Sequence, residues 1–399
     1  MAFRDSDTAS SPVQSRFEMP TGRTARPPVK AKAPIAMALP DMNQQDVRAV
    51  SRVVRSGRLA MGPMVPAFEQ AVANYVGVEH AVAVSSGTAA LHLIVKALGL
   101  GPRDEVLVPS FTFAASVNAI LYEGARPVFA EIDPDTLNLA VSDLEHRITH
   151  RTRAIMAVDV FGIPADWSGL AALAKRYGLM LIDDCCEALG AEYAGRRLGC
   201  FGEAGAFAFY PNKQITTGEG GMIVTNNLDL AIAARSMANQ GRGAMGAWLD
   251  HERMGYNYRM NEMSAALGLS QFGRIEEMLA KRERVAKMYN ERLALVPHVG
   301  TPRLVPGCRK SWFVYVVTLE EGLHRDWTIM GLESEGVPAR GYFSPIHTQP
   351  YIRQRFGDLS GTLPITEGMA QRTLALPFHN NLTEGEIDHI VAVLRRNLR

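Results

Sequence analysis

The chain has 399 residues, 47% of them hydrophobic, enough to bury a large core in two or three domain-sized units. Its 42 basic and 41 acidic side chains nearly cancel, so no global positive field exists to hold a nucleic acid, and none is expected as a partner. No window offers about 18 uninterrupted apolar residues, and the N-terminus lacks the apolar stretch of a signal peptide, so no membrane partner is expected and the cytoplasm is the expected location.

Residues 1 to 33 are rich in Ser, Thr, Pro, Arg and Lys and poor in large apolar groups, a composition that predicts a mobile tail. The period of Val47, Val50, Val53 and Val54 predicts a helix over 41–57 closed by Gly57, followed by a second helix over 66–77. Short apolar runs at 80–84, 105–109, 126–131, 154–160 and 179–183 read as strands, most separated by helix-length segments such as 167–177. Two further strands are expected at 205–210 and 221–226. This alternation predicts an α/β fold, a mostly parallel seven-stranded sheet covered by helices. A helical region, broken or bent inside, is expected over 262–290, then a strand at 312–319 and helices at 326–335 and 384–398. The expected division is a large domain over 34–290 and a smaller C-terminal α/β domain over 291–399. Cys185, Cys186, Cys200 and Cys308 have neither CxxC spacing nor the density of a disulfide scaffold, so they read as reduced thiols, with no metal site expected.

Ligands of open parallel sheets sit at the carboxyl ends of the strands. Ser86-Gly87-Thr88 lies between a strand and a helix, where unpaired N–H groups and a glycine admit a phosphate; the same residues also fit an ordinary helix cap. Asp183-Asp184 ends a strand, where a carboxylate can pair with a protonated pyridine nitrogen or, equally, serve a turn. Lys213 lies in AFAFYPNKQITTGEGG, residues 206 to 221, a tight glycine-rich setting in which a lysine can form a Schiff base with an aldehyde. A lone lysine is more commonly a solvated surface group.

At these segments the chain resembles the DegT/StrS sugar-nucleotide aminotransferases, which are fold-type I enzymes dependent on pyridoxal 5'-phosphate (PLP). The likeness runs from about Pro34 onward through seven motifs in the family's order. They are SGTAALHL (86–93), PRDEVLVPSFTF (102–113), DDCCEALGAEYAGRRLG (183–199), the lysine segment, MGYNYRMNEMSAALGLSQF (254–272), PIHTQPYIRQRFG (345–357) and ALPFHNNLTEGEID (375–388). The resemblance implies that Lys213 carries the cofactor, Asp184 pairs with its ring nitrogen, Phe113 stacks on the ring, and Gly87 and Thr88 hold its phosphate. It further implies a homodimer with shared active sites, in which Asn257 reaches the neighbouring subunit's phosphate. Arg259 is a candidate contact for a nucleotide diphosphate, with a surface salt bridge as the alternative. Tyr342 and His347 are expected at the sugar mouth, though a loop histidine also reads as solvated or packed.

Two positions depart from the family pattern. Ala208 stands where many relatives have a serine that binds the phosphate, which leaves the grip to Thr88, backbone amides and Asn257. Glu187 stands where relatives often have glutamine beside the cofactor's phenolic oxygen. The implied reaction takes an amino group from L-glutamate and puts it on a nucleotide-linked keto-deoxysugar, in the biosynthesis of an amino sugar for a polysaccharide or glycoside. The related sugar dehydratases carry histidine at the lysine position, so Lys213 argues against them. A cyclitol aminotransferase and a non-catalytic PLP-binding regulatory protein of the same fold are the remaining alternatives.

Overall fold

The computed structural model describes residues 35–243, 250–303 and 305–398; the tail expected at 1–33 lies outside them. The five apolar runs form strands β1 His80–Val84, β2 Glu105–Pro109, β3 Arg126–Ala130, β4 Thr152–Val158 and β5 Met180–Asp184. With Ala204–Ala208 and Gly221–Thr225 they make one seven-stranded sheet, in the order β1, Gly221–Thr225, Ala204–Ala208, β5, β4, β2, β3. Gly221–Thr225 runs antiparallel to both neighbours, and every other pair is parallel. This is the expected architecture. β2 is buried at every position because successive side chains enter two different cores. Leu107, Ile155 and Leu181 face one core, while Val106, Val108, Met156 and Ile182 face the other.

Helix α1, Gln44–Ser56, starts at Asn43, whose side chain accepts from the N–H groups of Gln45 and Asp46, and ends at Gly57 with φ of 69°. Helix α2, Met64–Val76, buries Phe68 and Val72. Helices α3, Gly87–Ala97, and α4, Ala114–Tyr122, follow β1 and β2 directly, so their N-termini open at the carboxyl edge of the sheet. Of these four helices, α2, α3 and α4 pack on the strands of this sheet and α1 packs on the helix Glu262–Phe272.

A second, four-stranded sheet has the order Val299–Gly300, Tyr315–Leu319, Thr373–Leu376, Arg340–Gly341, all pairs antiparallel. Tyr289, Tyr315, Leu332, Leu376 and Ile390 form its core with the helices Ile275–Leu293, Arg325–Ser334 and Glu384–Asn397. The helix Ile275–Leu293 serves two cores. Met278 and Leu279 pack with the large sheet, whereas Val285, Tyr289 and Leu293 pack with the small one.

Some boundaries differ from expectation for tertiary reasons. The helical region expected over 262–290 is two helices, Glu262–Phe272 and Ile275–Leu293. Between them Arg274 has φ −128° and ψ 27°, and its guanidinium turns back to the Asp46 carboxylate at 2.7 Å and the Asp41 carbonyl at 2.6 Å. The strand expected from 312 starts only at Tyr315, because Trp312 takes a left-handed φ of 52° and the segment before Tyr315 bends toward the large sheet.

Candidate active site

A cavity of about 320 Å³ opens where the carboxyl ends of the strands converge. Each wall comes from a different strand end. β1 leads through Ser86 into α3, and the Ser86 hydroxyl oxygen accepts from the Ala89 N–H at 3.1 Å. Gly87 is required there: a Cβ would stand 2.6 Å from the Ala208 Cβ and 2.9 Å from the Cys186 sulfur. Gly221 is required beside it, since a Cβ would lie 2.3 Å from the Ser86 carbonyl oxygen. Backbone thus lines this end of the cavity, with the N–H groups of Gly87 and Thr88, the first two residues of α3, facing a ligand rather than a helix partner.

β2 leads to Thr112 and Phe113, the residue before α4, and the Phe113 ring is 65% exposed at the cavity wall. β5 ends at Asp184, which is 4% exposed. Its carboxylate accepts from the Ser116 hydroxyl at 2.6 Å and from the Cys186 N–H at 3.2 Å. Burial pushes the Asp184 carboxyl up, while the Ser116 hydroxyl, the Cys186 donors and the charge of Lys213 pull it down.

Lys213 sits on the turn after Ala204–Ala208, its N–H donating to the Tyr210 carbonyl at 2.9 Å. Its Nζ lies 3.8 Å from the Phe313 ring centroid and 3.8 Å from Glu187 Oε1. Glu187 is held from behind by the Phe161 N–H at 2.9 Å, and burial raises its carboxyl while Lys213 opposes the rise. The frame behind the lysine is tightly bonded. Arg282, 3% exposed, donates to the carbonyls of Lys213, Trp312 and Phe313 at 2.8, 3.0 and 3.2 Å. Gln214 donates to the Glu187 carbonyl and the Ser311 hydroxyl.

Of the residues singled out in the sequence, Gly87, Thr88, Phe113, Asp184, Glu187, Lys213 and Tyr342 line this one cavity. His347 does not, and its expected place at the sugar mouth is corrected: it is fully buried, with Nδ1 2.6 Å from the Ser110 hydroxyl and Nε2 2.9 Å from Glu367 Oε1. Both ring nitrogens are spent on the scaffold. Asn257 and Arg259 also lie outside the cavity wall of their own chain, on an extended segment bridged to Asn239 and Val84. Asn257 is exposed, and Arg259 donates to the Asn239 side-chain oxygen at 3.0 Å. The sequence reading missed Thr112, Ser116, Asn212 and Phe313, which also line the cavity. Nothing local in the sequence marks these four residues as a set.

Among the described residues, no group of three or more His, Cys, Asp or Glu side chains is placed to hold a metal, and no helix is long and apolar enough to cross a membrane. A model of the DegT/DnrJ/EryC1/StrS aminotransferase family matches residues 40–395. The chain is 42% identical over 345 residues to GDP-perosamine synthase of Caulobacter vibrioides, covering 84% of this chain and 90% of that one. Its fold superposes on a DegT DnrJ EryC1 StrS aminotransferase from Brucella abortus with a TM-score of 0.82 at 36% identity, covering 88% of this chain and 95% of that one. The PLP-form of the putative sugar aminotransferase Spr1654 from Streptococcus pneumoniae gives a TM-score of 0.85 at 26% identity, covering 92% of this chain and 100% of that one. With the family pattern matched from residue 40 to residue 395, the protein belongs to the DegT/DnrJ/EryC1/StrS aminotransferase family.

Proposed function

We propose that this chain is a PLP-dependent aminotransferase that moves an amino group from L-glutamate to a nucleotide-linked keto-deoxysugar. The observation that carries the reading is the convergence of Lys213, Asp184, Phe113 and the α3 N-terminus on one cavity. The residues present fit the cofactor. The glycine-lined end presents backbone where no side chain fits, the Phe113 ring stands exposed for stacking, and Asn212 Oδ1 has no protein partner among the described residues. With Ala208 in place of a phosphate-binding serine, Thr88, the backbone amides of the first α3 turn and the neighbouring subunit's Asn257 carry that contact.

When bound, PLP supplies an aldehyde that takes up amino groups and a protonated ring that withdraws electrons from the carbon losing a proton. Asp184 holds the proton on the ring nitrogen. Phe113 covers one face of the ring, and α3 holds the phosphate. Lys213 Nζ anchors the cofactor and, when freed, moves the proton as base and then acid, a contribution of about 10²–10⁴-fold. Glu187 is the counter-ion of the free Lys213 amine. Tyr342, in the cavity wall, faces the sugar.

The same reading gives a cytoplasmic homodimer. The exposure of Asn257 and the placement of Arg259 outside their own cavity support a role for both in the neighbouring subunit's site, where Arg259 forks onto diphosphate oxygens. The name of the Caulobacter relative makes guanosine diphosphate-linked sugars the first substrates to try. The test adds PLP to the purified protein, then glutamate, then a panel of nucleotide-linked 3-keto and 4-keto sugars. Glutamate is expected to bleach the visible cofactor band with release of one 2-oxoglutarate per site, and one keto sugar is expected to restore the band and leave as an amine. A cofactor that binds but is unchanged by glutamate would refute the transaminase reading in favour of a non-catalytic binding protein. Restoration by a keto-cyclitol alone would refute the sugar.

A further inference from the structure

Asp184 is a buried carboxylate whose charge would be costly without donors, and its surroundings supply an ordered set of them. Oδ1 accepts from the Cys186 backbone N–H, and Oδ2 accepts from the Ser116 hydroxyl at 2.6 Å. Ser116 is 1% exposed, and its oxygen lies 2.9 Å from the hydroxyl of Thr112, itself 2% exposed. Proton counting sets the direction of this chain. An ionised carboxylate only accepts, so the single Ser116 proton goes to Asp184, and the Thr112 hydroxyl must then donate to Ser116. A protonated Asp184 could donate to Ser116 and reverse both bonds, whereas the charged state permits only this order. Each bond polarises the next, which strengthens the hold on the charge. Both hydroxyls stand in the cavity wall on either side of Phe113, so the segment that presents the stacking ring also holds the carboxylate.

We infer that Ser116, backed by Thr112, is the positioning residue that keeps Asp184 ionised and aimed at the ring nitrogen of the bound cofactor; the inference rests on the PLP reading above. It acts through Asp184 and touches no reacting atom.

The test compares two ligands that differ at one ring position: PLP, and 1-deazapyridoxal phosphate, in which CH replaces the ring nitrogen. Both carry the aldehyde and the phosphate, so contributions from Lys213 and from α3 cancel in the comparison. Affinities are read by fluorescence titration of the full-length protein freed of cofactor. Ser116→Ala is expected to weaken PLP binding about tenfold, the scale of a lost hydrogen bond to a charged group, and to change binding of the deaza compound less than about twofold. Ser116→Thr restores the hydroxyl and should restore the preference for PLP. Thr112→Val keeps the shape of that side chain and should cost about threefold for PLP only, a smaller loss because it lies one bond further away. Equal losses for both ligands, or no loss for either, would overturn the inference. Should Ser116→Ala not fold, the selectivity of Thr112→Val decides the question. A wild-type protein that binds neither ligand would instead defeat the PLP reading, so the two failures are distinguishable.

Discussion

Asp159 and Asp183 form a buried carboxyl pair directly beneath the site, and replacing Asp159 with asparagine tests how the fold tolerates it. Both side chains are fully buried. Asp159 Oδ1 accepts from the Ala165 N–H at 2.7 Å and the Trp167 Nε1–H at 3.2 Å, and Asp183 Oδ2 accepts from the Gly199 N–H at 2.7 Å. Among the described residues each has one oxygen left without a hydrogen-bond partner, and the two carboxyls act on each other's ionisation, so a proton shared between them is the arrangement that would satisfy both. Burial, as the largest cause, pushes Asp159 up from 3.8 to about 6, and burial together with the Asp159 charge pushes Asp183 well above 3.8. For a carboxyl raised on folding, the stabilisation is complete below pH 3.8 and is lost as pH rises through about 6. A rise of about 2 units at about 1.4 kcal/mol each makes the Asp159 contribution about 3 kcal/mol, absent at pH 8. Asparagine keeps Oδ1 as acceptor and gives Asp183 an amide donor in place of the shared proton. Asp159→Asn is therefore expected to stabilise the protein at pH 8 by up to about 3 kcal/mol, a rise of about 4 °C in melting temperature at this chain length. The advantage should shrink as pH falls from 6 toward 4. Melting scans of both proteins across that range provide the check. A variant that melts below wild type at pH 8, or a gap independent of pH, would refute the shared-proton argument.

Lys213→Ala should abolish amine transfer while the protein stays folded, measured as loss of 2-oxoglutarate release with an unchanged melting curve. Asp184→Asn should lower turnover about 100-fold or more at near-normal fold; a wild-type rate would mean that another group serves the ring nitrogen. Arg282→Met leaves the buried carbonyls of Lys213, Trp312 and Phe313 without this donor and should lower both melting temperature and turnover, the latter about tenfold through displacement of the lysine. If Asn257 serves the neighbouring site, mixing Lys213→Ala with a disabling Asn257 variant under subunit exchange should restore up to about a quarter of wild-type activity. No recovery with exchange confirmed would place both residues in one chain's site.

The large sheet was readable because its strands are continuous apolar runs, a signal that survives without knowledge of neighbours. Element ends were less readable because partners far along the chain set them. The break at Arg274 depends on Asp41 and Asp46, over 200 positions earlier. The late start of Tyr315–Leu319 follows from the bend that carries Phe313 to Lys213. Neither cause is visible inside a window of the sequence.

The site divides in the same way. Lys213, Asp184 and Gly87 stand at strand ends with distinctive neighbours, so type and position together mark them as candidates for chemistry. His347 shows the limit of residue type as a guide. A histidine in a polar loop suggests a ligand contact, yet Ser110 from the end of β2 and Glu367 from a distant helix meet its two ring nitrogens and make it a strut. Ser116 shows the opposite error. It looks like an ordinary small residue in a helical run, and its meaning exists only once β2 and β5 lie in one sheet and bring its hydroxyl to Asp184. Residues that touch a ligand can be proposed from motifs, whereas residues that act through another side chain come into view only with the fold that joins them.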